Sequence, residues 1–124
     1  MPERPVRQGA IFWLDDCPPL EGDRQKRRPV VVVDAPEVLR RNQSDVLVVA
    51  ISSTAMNADR VRLPTRDREP RATTGLARPS WVVPGWYLAV QRDRLRDRAG
   101  HVSGALLRRI VGAVMAAMER DEGA

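Results

Sequence analysis

The residues best suited to chemistry lie at the ends of two neighbouring apolar runs. A basic stretch, residues 24–28, leads into the first run at residues 30–34, and hydroxyl side chains at residues 52–54 close the second run, which starts at Asp45. If the two runs form neighbouring antiparallel strands, the start of one lies beside the end of the other. Guanidinium groups and hydroxyls would then converge at one end of a rigid sheet, an arrangement suited to binding a phosphodiester.

The elements around these groups are predicted to be mostly strands. Both valine-rich runs are short and bounded by charged or turn residues, which is typical of strands buried on both faces. Further strands are predicted at residues 8–14, 60–63, 80–83 and 86–91, with a Pro84-Gly85 turn between the last two. Residues 15–21 and 64–79 are predicted to be loops, the second unusually long for a compact domain.

The C-terminal part changes to a helical period. Apolar residues recur at spacings of three and four between Leu106 and Met118, and Ser103 is a suitable N-cap, so a final helix is predicted here. A short helix is also predicted at residues 93–97, ended by Gly100. Strands followed by one helix indicate a mainly β or α+β class, a small barrel with a packed helix, in a single domain spanning residues 1–124.

Composition limits the classes of protein to which the chain can belong. The 124 residues carry a net charge of +5, and all but one of the 21 basic residues are arginine. This excess fits an anionic partner such as RNA or an acidic protein segment, and it fits GC-rich codon usage equally well. No apolar run approaches the roughly 18 residues of a membrane span, and the N-terminus has no apolar signal core. One cysteine and one histidine exclude an internal disulfide and a conventional structural zinc site, so we expect a cytoplasmic protein without a metal or cofactor.

Five sequence blocks occur in an order that is informative. They are QGAIFWLDD, EGDRQKRRPVVVV, VLVVAISS, TGLARPSWV, and a patterned tail from Leu95 to Met118. Together they resemble the MazF/PemK family of toxin ribonucleases over about residues 7–118. The resemblance implies an SH3-like β-barrel with a C-terminal α-helix, a homodimer, and metal-independent cleavage of single-stranded RNA at specific sequences. It also implies a cognate antitoxin whose acidic, disordered tail blocks the RNA groove.

Metal-free RNA cleavage uses the 2′-hydroxyl as an internal nucleophile. The reaction needs a base near that hydroxyl, an acid near the 5′ leaving oxygen, and positive charge on the pentavalent phosphorane. Because His101 is the single histidine, a mechanism that uses two histidines is excluded.

The resemblance assigns catalytic roles to Arg28, Ser52 and Asp23. Arg28 precedes the strand proline and would clamp the phosphorane; its alternatives are a solvated turn arginine or an ion-paired one. Ser52 would orient the scissile phosphate or the 2′-hydroxyl, and its alternative is turn capping. Asp23 would act as the base or position Arg28, and its alternative is an acidic surface residue in a charged turn.

Neighbouring residues are assigned to RNA binding. Lys26 and Arg27 would contact flanking phosphates. Ser53 and Thr54 are possible substitutes for Ser52 in orienting the phosphate.

One segment departs from the family pattern. Gly85-Trp86 stands where the family has an Asp-Gln pair, and Leu88 stands where it has an arginine. Trp86 would either stack on RNA bases or belong to the core or an interface. The departures leave a second hypothesis open, in which the barrel is a catalytically weak or inactive module that binds nucleic acid or protein.

Overall fold

A computed structural model describes residues 5–19, 25–54 and 59–123, and these form one antiparallel sheet with two helices. The strands are β1 (Ala10–Cys17), β2 (Lys26–Val32), β3 (Asp45–Ser52), β4 (Val61–Arg62), β5 (Trp81–Gln91) and β6 (Leu95–His101); the helices are α1 (Pro36–Arg41) and α2 (Gly104–Gly123). The order across the sheet is β4-β5-β3-β2-β1-β6. The sheet curls into a half-barrel with the helix α2 at the C-terminal end, which confirms the predicted fold class.

The two valine-rich strands lie at the centre of the sheet, and both of their faces are buried, as predicted. Val30 and Val48 belong to a cluster on one face that includes Phe12 and Trp86. Alternate residues such as Val31 belong to the cluster on the other face, which α2 covers. Because side chains alternate between faces along a strand, an unbroken valine run can serve both clusters.

The predicted final helix is present as α2. Its buried residues Ile110, Val114 and Ala117 recur at spacings of four and three, so they form one stripe against the sheet. The Tyr87 hydroxyl of β5 donates a hydrogen bond to Asp121 near the end of the helix. Among the described residues, no helix is both long and apolar enough to cross a bilayer.

The predicted pair of strands at residues 80–83 and 86–91 is wrong, because β5 runs continuously through Pro84-Gly85. The pairing shifts between Ile51↔Val82 and Val49↔Tyr87, which leaves a four-residue segment of β5 opposite one residue of β3. This segment is a large bulge. Proline is tolerated in a bulge because its missing N–H is not needed for a ladder hydrogen bond there.

The predicted short helix at residues 93–97 is also wrong. Only Arg92–Arg94 forms a single 3-10 turn, and the chain then enters β6, which pairs with β1. Gly100 lies inside β6 and does not end a helix. This position needs a glycine because a Cβ there would meet the Thr73 carbonyl oxygen at 2.1 Å. The loop predicted from residue 15 begins later, because β1 continues across a bulge to Cys17.

The arginine-rich segment between β4 and β5 in the chain is irregular, as predicted. It contacts both outer strands of the sheet, which are β4 and β6. Leu63 donates its N–H to the Ser80 carbonyl at 3.0 Å, which fixes the segment beside β4. In the interior of the segment, the Thr73 carbonyl accepts a hydrogen bond from the His101 N–H of β6 at 2.9 Å. The segment therefore spans the gap between β4 and β6 and helps the sheet to curl.

Replacement of Gly75 tests this closure. Gly75 has φ of +72°, and a Cβ there would lie 1.8 Å from the Ala99 carbonyl oxygen of β6. We expect Gly75→Ala to lower the free energy of unfolding by on the order of 3 kcal/mol, because it adds left-handed strain and forces the loop away from β6. Urea denaturation measures the change.

The matched control for this substitution is Gly112→Ala in the middle of α2. No neighbouring atom lies within 4 Å of a Cβ at Gly112. This substitution should raise the stability by about 0.5–1 kcal/mol through helix propensity. Equal effects of the two substitutions would contradict the proposed role of the loop.

Candidate active site

Arg28 of β2 and Ser52 of β3 each lie two residues beyond the last described pair between these adjacent strands. Val30 pairs with Ala50, and continuing this register by two residues sets Arg28 opposite Ser52. Side chains of directly opposite residues share a face, with Cβ atoms about 5 Å apart. Both residues are 8% exposed. The structure therefore brings together the guanidinium and the hydroxyl that the sequence places at these strand ends, and their catalytic roles remain a prediction.

The guanidinium of Arg28 is packed against Trp86. Its Cζ lies 4.8 Å from the centroid of the indole ring, within the range of a cation–π contact. Trp86 is 4% exposed, and its Nε1 donates a hydrogen bond to the Pro18 carbonyl at 3.0 Å. This packing fixes the plane of the guanidinium, in which its N–H donors lie. Of the two roles left open for Trp86, base stacking and the core, its position is that of a core aromatic.

Ser52 also takes part in local turn structure. Its Oγ accepts a hydrogen bond from the Thr54 N–H at 3.1 Å, which is the turn-capping arrangement weighed as its alternative. A hydroxyl has one donor and two acceptor sites, so this bond leaves its proton available for a further partner. Ser53 and Thr54 are exposed, and the Thr54 carbonyl accepts a hydrogen bond from Arg60.

Arg27 does not share the face of Arg28, because successive strand residues point to opposite sides. Its guanidinium lies 2.8 Å from Asp97 and 3.3 Å from Asp15 and covers the ring of Trp13 at 5.1 Å. The structure thus separates Arg27 from the Arg28–Ser52 pair. Lys26 is exposed at the start of β2, and Asp23 lies outside the described residues.

Two residues that the sequence did not single out extend the pair across the sheet. Ser52 pairs with Trp81 of β5, and Trp81 pairs with Arg62 of β4. The four side chains of Arg28, Ser52, Trp81 and Arg62 therefore form a row on one face, which we call the cross-strand row. The sequence signal for it is weak. The alternation of polar and apolar residues at 60–63 predicts that Arg62 lies on a solvated face. It does not predict that Arg62 lies beside Trp81, because that depends on the register between the strands.

Cys17 lies on the same side of the sheet near Arg28. Its side chain is 0% exposed. Burial raises the pKa of its thiol, and the positive charge of Arg28 partly offsets this rise. In the described part of the chain, no group of three or more His, Cys, Asp or Glu side chains is arranged to hold a metal ion.

Comparisons with known proteins agree on one family. A family model described as PemK-like, MazF-like toxin of type II toxin–antitoxin system matches residues 7–118. Endoribonuclease MazF2 of Mycobacterium bovis and endoribonuclease MazF6 of Mycobacterium tuberculosis are each 30% identical over 106 residues, which cover 85% of this chain and 90% of theirs.

Solved structures agree on the fold. An endoribonuclease from a mycobacterial species, in complex with its cognate antitoxin, aligns with a TM-score of 0.66 at 21% identity and covers 94% of this chain and 96% of its own. A MazF structure from Deinococcus radiodurans aligns with a TM-score of 0.67 at 17% identity, covering 93% and 96%.

The environment of Cys17 predicts a slowly reacting thiol. Because the thiolate is the nucleophile, burial and a raised pKa should make alkylation by iodoacetamide at pH 8 at least about tenfold slower in the folded protein than in urea. The rate in the folded protein should reach its plateau at a higher pH than the rate in urea, because burial raises the pKa of the thiol. Labelling as fast in buffer as in urea would contradict the burial of this side chain beside Arg28.

Proposed function

The chain belongs to the PemK-like, MazF-like toxin family, and we propose that it is the endoribonuclease toxin of a type II toxin–antitoxin pair. The observation that supports this most directly is that Arg28 and Ser52 each lie two residues beyond the Val30–Ala50 pair, on one face of adjacent strands. The proposed substrate is single-stranded RNA, cleaved at specific sequences. The family model matches residues 7–118, which supports one domain spanning residues 1–124 with its core in that range.

The proposed reaction is an internal transesterification in which the next nucleotide is the leaving group. The 2′-oxygen attacks the adjacent phosphorus and loses its proton to a base. The bond from phosphorus to the 5′-oxygen then breaks, and that oxygen receives a proton. The products are a 2′,3′-cyclic phosphate, which water can open to a 3′-phosphate, and a 5′-hydroxyl.

Arg28 is the proposed stabiliser of the phosphorane. A guanidinium can donate two parallel hydrogen bonds to two phosphoryl oxygens, and it keeps its charge at any physiological pH. At 8% exposure its charge is poorly screened by water, which strengthens its attraction to the negative charge that develops in the transition state. Because this cation supplies the required positive charge, we propose that cleavage is independent of a metal.

Ser52 and Asp23 complete the proposed machinery. The Ser52 hydroxyl donates its proton to a phosphoryl oxygen or orients the 2′-hydroxyl, while its oxygen accepts the Thr54 N–H. Asp23 is the proposed base, or else it positions Arg28. A pair of histidines is unavailable because His101 is the single histidine of the chain, and it lies in β6, two strands away from β2.

The proposed partners follow from family membership and charge. The mycobacterial relative is named as a complex with its cognate antitoxin, and a net charge of +5 suits an acidic, disordered antitoxin tail. We propose the same kind of partner here, together with a homodimer. Lys26, Ser53 and Thr54 are exposed near the site and are proposed RNA contacts, and Arg27 becomes one only if it leaves its acidic partners. A cellular RNA substrate would place the protein in the cytoplasm.

A second candidate function is supported by the position of Trp86. An indole covers the Arg28 guanidinium where the family has a polar pair, so a phosphate must reach a cation that is 8% exposed. This arrangement favours a module on the same barrel that binds RNA or an acidic protein and cleaves slowly or not at all.

Cleavage of RNA in EDTA tests the proposed function. The wild-type protein should cut a long mixed-sequence transcript and leave 5′-hydroxyl and cyclic or 3′-phosphate ends. Arg28→Ala should lower the rate by about 10²–10³, because an oriented donor to the transition state is lost. Ser52→Ala should lower it by about tenfold, the value of one hydrogen bond.

Two controls separate catalysis from folding. Arg28→Lys keeps the charge but not the two parallel hydrogen bonds, so its rate should also fall when it is assayed under conditions in which urea denaturation shows that the variant is fully folded. Arg109→Ala removes an exposed arginine from α2 and should cleave at the wild-type rate. Wild-type cleavage by Arg28→Ala would refute the role of Arg28. A wild-type protein that binds RNA but leaves every transcript intact would favour the second candidate function.

A further inference from the structure

We propose that Trp81 and Arg62 form a nucleotide-binding subsite beside Arg28 and Ser52, in which the indole of Trp81 stacks on a base of single-stranded RNA and Arg62 binds a neighbouring phosphate. The inference rests on the proposed function, since it places the RNA strand relative to the cleaved bond. It adds two residues that neither the family resemblance nor the sequence patterns assign.

The register of the sheet provides the geometry. Ser52 pairs with Trp81, and Trp81 pairs with Arg62, so the cross-strand row continues from Arg28 through two further strands. Neighbouring strands lie about 4.8 Å apart, so the row is about 14 Å long from Arg28 to Arg62. A stacked strand of nucleic acid advances about 3.4 Å per nucleotide, so the row extends over more than one nucleotide. An RNA strand bound at Arg28 and running across the sheet therefore reaches Trp81 next.

Exposure increases along the row. Arg28 and Ser52 are each 8% exposed, Trp81 is half-buried, and Arg62 is exposed on β4, the last strand of the sheet. The row is therefore open to solvent at the β4 end and closed at the Arg28 end. A strand can enter from β4 with its bases over Trp81 and deliver a phosphate to the buried guanidinium.

The side chains have the chemistry of a nucleotide site. An indole stacks on any base, and an arginine beside it can bind a phosphate or stack on the same base. The Arg62 Cζ lies 5.6 Å from the centroid of the Trp81 ring, near the outer limit of about 6 Å for a cation–π contact. Because Arg62 is exposed and its contact is loose, it can turn to a phosphate and give the ring face to a base.

A basic depression adjoins the row at Arg62. It has a volume of about 590 Å³, and its lining includes Arg62, Thr65, Arg68 and Glu69. Two arginines against one glutamate give the lining a positive balance, which suits the next phosphate of the strand.

Trp81 is better suited to this role than the other two tryptophans. Trp86 is 4% exposed, and its ring is covered by Arg28. Trp13 lies under Arg27 on the opposite face of the sheet from Arg28, so it cannot meet the same strand of RNA. Trp81 combines partial exposure with the face of the proposed scissile phosphate.

Binding of short single-stranded RNA of mixed sequence, with 2′-O-methyl groups at every position, tests the subsite. The methyl groups block attack by the 2′-oxygen, so the full-length protein can be titrated without cleavage. Trp81→Ala should weaken binding by about tenfold, the typical loss for one stacked base. Trp81→Phe should restore most of the affinity, because a phenyl ring also stacks on a base.

The salt dependence of RNA binding distinguishes a phosphate contact by Arg62 from a general effect of net charge. Arg62→Gln should lower the slope of log K against log salt by about one, because one phosphate contact is lost. Arg108→Gln removes an equal charge from an exposed position on α2, and it should leave the slope unchanged. Equal slopes for the two variants would overturn the role of Arg62.

An abasic scan gives the sharpest comparison. A defined-sequence oligonucleotide from the mixture receives an abasic nucleotide at each position in turn, and its binding to wild-type protein and Trp81→Phe is compared with its binding to Trp81→Ala. At one position, the abasic substitution should weaken binding to the wild type and to Trp81→Phe. The same substitution should leave binding to Trp81→Ala unchanged. Identical abasic penalties in all three proteins would overturn stacking on Trp81.

The outcomes also separate this inference from the proposed function. A wild-type protein that binds no RNA overturns both. If RNA binds, and Arg28→Ala weakens binding while Trp81→Ala and Arg62→Gln do not, the proposed function stands and the subsite is refuted.

Discussion

The antiparallel register between β2 and β3 is the constraint on which the candidate site depends. Three pairs of buried residues define that register: Val30–Ala50, Val31–Val49 and Val32–Val48. A slip of one residue would move every side chain of a strand to the other face, so Arg28 and Ser52 would no longer share a face. The burial that stabilises the centre of the sheet therefore also sets Arg28 opposite Ser52. The positions of the two strand ends therefore follow from the packing of the core.

The bulge in β5 affects both the packing of the core and the access of a substrate to Arg28. Because three residues more than the register requires lie between Val82 and Tyr87, Trp86 can turn into the core and cover Arg28. The same strand presents Trp81 before the bulge, on the open part of the row. The strand β5 thus covers the Arg28 guanidinium with Trp86 and places the partly exposed ring of Trp81 beside it. Burial strengthens the electrostatic effect of Arg28, and it also requires a substrate phosphate to reach a cation that is 8% exposed.

Sequence patterns predicted the central strands, the final helix and the fold class, because valine runs and helical periodicity reflect local burial. They also predicted that the two valine-rich strands are antiparallel neighbours, which places Arg28 and Ser52 at adjacent strand ends, and the catalytic roles of the two residues stay a prediction. They failed at Pro84-Gly85, where tertiary pairing absorbed a turn signal into a bulge, and at Gly100, where close approach of Thr73 explains the glycine better than helix termination. Trp81 and Arg62 were missed because their adjacency to Ser52 depends on pairing across strands, which composition and spacing do not encode.

The central claim is that Arg28 and Ser52 act on the same phosphate, and a double-mutant cycle tests it most directly. The cleavage rates kcat/KM of the wild type, Arg28→Lys, Ser52→Ala and the double variant are compared under identical conditions. If both side chains contact one transition state, the double variant should lose less than the product of the two single losses, with a coupling energy of about 1 kcal/mol or more. Losses that multiply to within about 0.3–0.5 kcal/mol would show that the two residues act independently and would contradict the account.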